Sequence, residues 1–411
     1  MSGSTALYAP YRAIGYVTDG VPFIVNHLGD EIFLLFSIGK SFQVFKADHL
    51  NSCLVSQQLP DSISAIEAIG HETYAGVGKS IYVFYRTKIV RQYNEHDDDI
   101  IGFVVVGKIL LSYSADNVIK IIDTKAREVI STIELMQEST LRCVIHPATY
   151  LNKFLLGFEN GHIELWNMRR KALIHSFQSH ISYFLSSRDD GGVPAVLCME
   201  QSPACDVVAI GFSSGDILLM NIKQDKVLFS FRQQSSESDS SRGSSSAVTS
   251  ISFRTDGAAE KFPYMVSGSA DGRVFVWHLG CPDKQDEPRR LMLTIDDAHA
   301  ARVSRVHFLH GEPIMITAGE DNSVKTWIFD APDGSARLLR SREGHRGTSN
   351  RVRFYGGSTT VSMRENADAM SCEMLSAGSD GTFRLFNFAL ESQNREMTQK
   401  PILKKLGLQR R

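Results

Sequence analysis

The sequence is short of several things, and each shortage closes a class of function. Its 44 basic and 46 acidic side chains leave a formal net charge of -2. No field of one sign therefore marks a histone-like binder of polyanions, although local patches are compatible with that total. No run of about 18 apolar residues occurs, so no transmembrane helix is expected. The start, Met1-Ser-Gly-Ser-Thr, lacks the charged and apolar stretches of a secretory signal. A soluble intracellular protein is expected. The six cysteines (Cys53, Cys143, Cys198, Cys205, Cys281, Cys372) are scattered without any Cys-x-x-Cys. Free thiols are expected rather than a disulfide frame or a zinc site of that spacing. The thirteen histidines form no His-Glu-x-x-His pair. At 43% hydrophobic and 22% charged residues, the composition is that of an ordinary folded chain.

What the sequence does have is repetition. Eight segments share an apolar run, a small-residue turn and an alternating run that ends on a large apolar residue. Those end residues are Phe45, Phe84, Ile122, Trp166, Met220, Trp277, Trp327 and Phe386. The spacing starts at 39 and 38 residues and widens toward the C-terminus. All three tryptophans of the chain fall on this one position. Six residues earlier stands Asp116, Asp271, Asp321 or Asp380 in four repeats, and Gly39, Gly78, Asn160 or Ser214 in the others. Gly161, Gly215, Gly272, Gly381, Asn117 and Asn322 come next; these residue types tolerate the left-handed backbone of a tight hairpin. Each repeat is predicted to supply several antiparallel strands and no helix of note.

A unit of about 40 residues with this pattern resembles the WD40 repeat, whose arrays close into β-propellers. The resemblance implies an all-β fold of seven blades, with eight blades, or one blade shared with a second propeller, left open by the eight signatures. It also implies a structural hydrogen-bond network of His, Ser/Thr, Asp and Trp. That set is complete in the seventh repeat as His299, Thr317, Asp321 and Trp327. The third repeat has His96, Ser112 and Asp116 but ends on Ile122, and the eighth has His345, Ser376 and Asp380 but ends on Phe386. The expected layout is an N-terminal segment 1–20 whose residues 6–17 could close the ring, a propeller over 21–390, and a basic tail over 391–411. Within the propeller, residues 232–247 hold eight serines in sixteen positions and are expected as a disordered loop. In that loop Ser236, with Asp239 three residues on, matches an acidic-directed phosphorylation site. Arg395 to Arg411 carries six Lys/Arg against one Glu, which suits either phosphate contact or a solvated tail.

Three catalytic look-alikes fail on context. Gly211-Phe-Ser213-Ser-Gly215 matches the nucleophile elbow, but that elbow needs a strand-to-helix turn and this one is in register with seven hairpins. Gly39-Lys-Ser41 and Gly78-Lys-Ser80 end like phosphate-binding loops, yet Leu34 and Thr73 stand where the first glycine should be. Asp97-Asp98-Asp99 has no spaced partners and reads as a solvated loop. No catalytic, metal or cofactor residue is assigned.

Longer stretches are more specific than a generic repeat. They include Ala9-Pro-Tyr-Arg12, His146-Pro-Ala-Thr-Tyr-Leu-Asn-Lys-Phe-Leu-Leu-Gly157 with Glu164-Leu-Trp-Asn167, Asp206-Val-Val-Ala-Ile-Gly211, Val248-Thr-Ser-Ile-Ser-Phe-Arg-Thr-Asp-Gly257, and Trp327-Ile-Phe-Asp330 with Arg337-Leu-Leu-Arg340. Over roughly residues 6–411 the chain resembles the amino-terminal half of the U3 small-nucleolar-RNA-associated WD-repeat proteins. Members of that family are subunits of the UTP-B subcomplex of the small-subunit processome, with tandem propellers and a helical C-terminal domain. The resemblance places the start of the second propeller near Lys404-Lys-Leu-Gly-Leu-Gln409. It implies a non-enzymatic scaffold in the nucleolus, acting in pre-rRNA processing and 40S subunit assembly. Its partners would be other UTP-B subunits and processome proteins. Pre-rRNA or U3 snoRNA would be met directly or through them, with no membrane, cofactor or small-molecule substrate. The alternative is a WD40 adaptor of another pathway, such as a substrate receptor.

Overall fold

The computed structural model describes residues 17–344 apart from 49, 95, 136–138, 178–193, 205, 234–246, 261–262, 281–289 and 332; beyond these it describes the strands at 349–355, 373–378, 382–387 and 395–398. Every regular element among the described residues is a β-strand, and they form eight four-stranded sheets. Within each sheet the strands pair in chain order, so each sheet is an up-and-down meander. Each of the eight sequence signatures is the hairpin joining the second and third strands of one sheet, as in Val207–Phe212 and Asp216–Asn221.

The chain divides into two units. One is Thr18–Arg342; the other joins Met1–Val17 to Glu343–Arg411. Seven sheets, from Ile24–Leu28 to Arg337–Glu343, belong to the first unit, the last strand running one residue past its limit. These seven are the blades of a propeller, numbered here one to seven. The ring closes between blades seven and one. The Arg305 guanidinium on blade seven lies over the Phe23 ring, 5.6 Å from its centroid, and the Arg342 Nε–H donates to the Leu50 carbonyl at 2.9 Å. The range 21–390 expected for one propeller thus spans both units. The eighth sheet, of strands Ser349–Tyr355, Glu373–Gly378, Thr382–Asn387 and Arg395–Thr398, belongs to the other unit. Its fourth strand comes from the stretch 391–411, so that stretch is not tail alone. The proposed closing strand at 6–17 falls outside the described residues except for Val17.

Burial explains why blades need neighbours. The second strands are almost wholly buried, as in Lys153–Phe158, whereas fourth strands such as Ala172–Ser176 are exposed throughout. The first strands of successive blades lie against one another, so they line the centre and the fourth strands form the rim. The apolar cores lie between blades, not inside them. One joins Leu155, Ile163 and Val196 to Ile210 and Phe212 across blades four and five, and another joins Val266 and Val276 to Val303 and Trp327 across blades six and seven. A single meander exposes both faces, and stacking hides them.

The turn residues behave as their types require. Gly39, Gly78, Asn117, Gly161, Gly215, Gly272 and Asn322 all have positive φ, between 54° and 93°. At Gly272 space decides as well: a Cβ there would lie 2.3 Å from the His299 carbonyl oxygen of the next blade. Cys143 and Cys198 are free thiols; Cys205, Cys281 and Cys372 lie outside the described residues.

Candidate functional site

The four residues singled out in the seventh repeat come together. His299 Nε2 lies 2.8 Å from the Thr317 hydroxyl, which also accepts the Trp327 indole N–H at 3.0 Å. His299 Nδ1 faces Asp321 Oδ1 at 3.1 Å and Ser323 Oγ at 2.8 Å. Asp321 accepts further bonds from the Ser323 hydroxyl at 2.7 Å and the Ala300 N–H at 2.8 Å. The His299 and Asp321 side chains are 0% and 2% exposed. Burial pushes the Asp321 carboxyl up, but the His299 bond and charge, with Ser323 and Ala300, outweigh it and hold the group well below the usual carboxylate range. Gly319 is required alongside, since a Cβ there would stand 2.5 Å from His299 Nδ1 and 2.6 Å from Asp321 Oδ1. This knot ties the strand entering blade seven to the hairpin of the same blade. Nothing in it is open to a substrate.

The other networks differ. In blade three His96 Nε2 meets Ser112 Oγ at 2.7 Å, while Asp116 accepts from Ser114 and the Val118 N–H inside its own turn. Of the eighth-repeat set, Ser376 lies on strand Glu373–Gly378, and His345 and Asp380 lie outside the described residues, as does Ser236. Blade six holds a network that sequence reasoning missed. Gln233, buried, donates to Ser267 Oγ at 2.7 Å, and the Trp277 indole donates to the same oxygen at 2.8 Å. Gln233 does there what His299 does in blade seven. Its partner is 34 residues away instead of 18 because the Ser-rich insertion intervenes.

The catalytic look-alikes stay apart from any such machinery. Ser213 sits in the strand-to-strand turn after Val207–Phe212, where its N–H donates to the Ala195 carbonyl and its hydroxyl accepts the Ala195 N–H at 3.0 Å. Gly39 and Gly78 are likewise hairpin residues between paired strands. Among the described residues no group of three or more His, Cys, Asp or Glu could hold a metal ion.

The two ends of the propeller carry different charge. Because each blade is a meander, its first and second turns open on opposite faces, and the turn between third and fourth strands returns to the face of the first. That outer turn is basic in four successive blades: Arg86 and Lys88, Lys125 and Arg127, Arg169 to Lys171, then Lys223 and Lys226. Arg86, Arg127 and Lys171 hold left-handed backbone that glycine or asparagine would adopt more easily. The opposite face carries Asp97 to Asp99, Asp116, Asp216 and Glu320.

At the centre the inner strands bring charged groups together. Glu67 of blade two and Glu200 of blade five both feel the charge of Arg305 of blade seven, and His307 feels Arg305 and His27 of blade one. Enclosure by protein raises both carboxyls to about 7. The same burial, with the Arg305 charge, lowers His307 to about 3. A cavity of about 360 Å³ opens beside them at the ends of the first strands of blades four to seven.

Fold and networks define a WD-type β-propeller. A family model described as the WDR36/Utp21 first beta-propeller matches residues 34–330, and the chain belongs to that family. It is 32% identical to human WD repeat-containing protein 36 over 99% of its own length and 41% of the relative's. It is 29% identical to the Schizosaccharomyces pombe U3 small nucleolar RNA-associated protein 21 homolog and 27% identical to Saccharomyces cerevisiae U3 small nucleolar RNA-associated protein 21, over 97% of this chain and 40% of each. The chain thus spans about 40% of the length of these relatives. Among solved structures, a chain of the mitotic checkpoint complex superposes with a TM-score of 0.59 at 16% identity, covering 77% of this chain and 93% of that one. The computationally designed Ika8 protein superposes with a TM-score of 0.55, also at 16% identity, covering 91% and 98%. Both matches speak for the fold alone.

Proposed function

We propose that this chain is the amino-terminal propeller of a non-enzymatic scaffold subunit of the small-subunit processome, acting within UTP-B in pre-rRNA processing and 40S assembly in the nucleolus. The observation that carries the reading is similarity along nearly the whole chain to relatives named for association with U3 small nucleolar RNA. The fold suits it. A closed ring offers rigid faces on which other proteins can be held, and its buried polar residues are spent on internal networks. The basic outer turns of blades two to five favour direct contact with RNA phosphates, to which lysine and arginine contribute a salt-dependent attraction.

Depletion of the parent protein is expected to slow early pre-rRNA cleavage and to lower 18S rRNA and 40S subunits while 60S subunits are largely spared. The measurement is a northern blot of pre-rRNA intermediates, with the parent protein or this chain added back. This 411-residue chain alone should rescue poorly, since the relatives are more than twice as long. Normal 18S maturation after depletion would overturn the reading.

A further inference from the structure

Three exposed cations stand where backbone conformation argues against them. Arg86, Arg127 and Lys171 each hold the left-handed position of an outer turn, in blades two, three and four, with φ of 57°, 62° and 53°. Asparagine takes that backbone more easily, as Asn117 and Asn322 do in the second turns. Leu50 and Asp225 fill the position in blades one and five, so turn geometry does not itself ask for a cation. Two of the turns are tied together. The Arg91 guanidinium of blade two donates to the Arg127 carbonyl at 2.7 Å. The Arg127 guanidinium pairs with Glu72 of blade two at 3.1 Å, and its side chain stays 54% exposed. Other carboxylates of this sector are engaged: Asp123 accepts the Lys125 and Ala126 N–H groups, and Asp225 faces His175. Glu128 is the exposed acid beside them. On the same face, blades seven and one present Glu312, Asp30, Glu31 and Asp48, so the cationic surplus belongs to one sector of the ring.

An aromatic ring accompanies these charges. Tyr85, 48% exposed, flanks the blade-two turn, with the Arg86 guanidinium 6.0 Å and the His71 ring 6.2 Å from its centroid. Phe84 before it is buried in the core between blades one and two, so strand alternation turns Tyr85 outward. A ring held in the open beside cations is a platform on which a nucleobase stacks while the cations meet the adjoining phosphates. An acidic peptide would leave the ring unused, and a duplex keeps its bases stacked on one another, out of reach. We propose that the outer turns of blades two to four form a track for single-stranded RNA, with one base stacked on Tyr85 and backbone phosphates met by Arg86, Arg127 and Lys171. The track deepens the processome reading and rests on it for the natural RNA.

The test uses the full chain and a fluorescein-labelled 20-nucleotide RNA of CA repeats, titrated by anisotropy over a range of KCl concentrations. Arg86→Asn, Arg127→Asn and Lys171→Asn combined should weaken binding at least tenfold and reduce the slope of log affinity against log salt by about 2. Its melting temperature should stay within a few degrees of the parent's, because asparagine suits the left-handed turns. Tyr85→Ala should weaken binding about fivefold or more without changing the slope, and Tyr85→Phe should retain it. Lys40→Asn with Lys79→Asn, on the opposite face, should leave the affinity within about twofold. The same RNA paired with its complement should bind more weakly than the single strand. Undiminished binding by the folded triple variant, full affinity in Tyr85→Ala, or a duplex bound as tightly as the single strand would each overturn the proposal. So would displacement of the RNA by an equimolar polyglutamate peptide, or no binding at micromolar concentration. Each of these can occur while depletion of the parent still blocks 18S maturation, which separates failure of the track from failure of the processome role.

Discussion

Asp321 in blade seven is buried and Glu200 at the central cavity is partly buried, and the two carboxyls are driven in opposite directions. Asp321 accepts hydrogen bonds from the Ser323 hydroxyl and the Ala300 and Ser323 N–H groups, and it faces His299. Those donors outweigh burial and keep it ionised. At Glu200 desolvation by burial outweighs the charge of Arg305, and its carboxyl rises to about 7. The same desolvation acts on both; the number of donors decides the outcome. A carboxylate with every lone pair engaged is part of the frame.

The sharpest way to break this comparison is to take the knot apart. Asp321→Ala leaves the His299 and Ser323 donors buried without an acceptor and should cost about 2–3 kcal/mol. An unchanged denaturation midpoint would show that the knot does not form. Gly319→Ala should do comparable damage through crowding alone, because neither His299 nor Asp321 can retreat from a Cβ at 2.5–2.6 Å. Native-state hydrogen exchange confined to blade seven would register it.

Glu200→Gln should act with the opposite sign. A carboxyl whose folded value lies above its unfolded one binds more protons when folded, so its stability contribution falls as pH rises from about 4.5 to 7. Replacing it by glutamine should raise stability at pH 8 by on the order of 1–3 kcal/mol and change little at pH 5. Thermal melts at the two pH values check this. Gln233→Ala, which removes a neutral donor from Ser267, should cost about 1 kcal/mol. Ser213→Ala should be the mildest, within about 1 kcal/mol, since it removes one acceptor from the Ala195 N–H.

Much of the frame was legible in the sequence because hairpins impose residue types. Gly78, Asn117 and Gly272 occupy left-handed backbone, and those demands repeat with each blade, so eight signatures became eight sheets. The network of His299, Thr317, Asp321 and Trp327 was legible for the same reason, although Ser323 was not, because a serine beside a turn is too common to signal a bond. Gln233 was hidden by the insertion that separates it from Ser267. The cavity was hidden more deeply. Arg305 comes over Phe23, and its charge reaches Glu67 and Glu200, only when the ring closes, across separations that no local pattern records. The one trace was polar residues inside inner strands, as in Val-Leu-Cys-Met-Glu200-Gln and Val-Ser-Arg305-Val-His307-Phe.

The claim that donors, not burial, set the direction in which each carboxyl is driven is tested most directly by unfolding free energy against pH. The full chain would be compared with Glu200→Gln and Asp321→Asn. Relative to the parent, the Glu200→Gln gain should grow between pH 5 and 8. The Asp321→Asn loss should be complete at pH 5 and shrink as pH falls below the ordinary carboxylate range, because the unfolded parent then binds a proton at this aspartate that the folded state takes up only at lower pH. Two difference curves of opposite sign in separate pH windows are the predicted result. Curves that run together, or a Glu200→Gln variant no more stable at pH 8 than the parent, would contradict it.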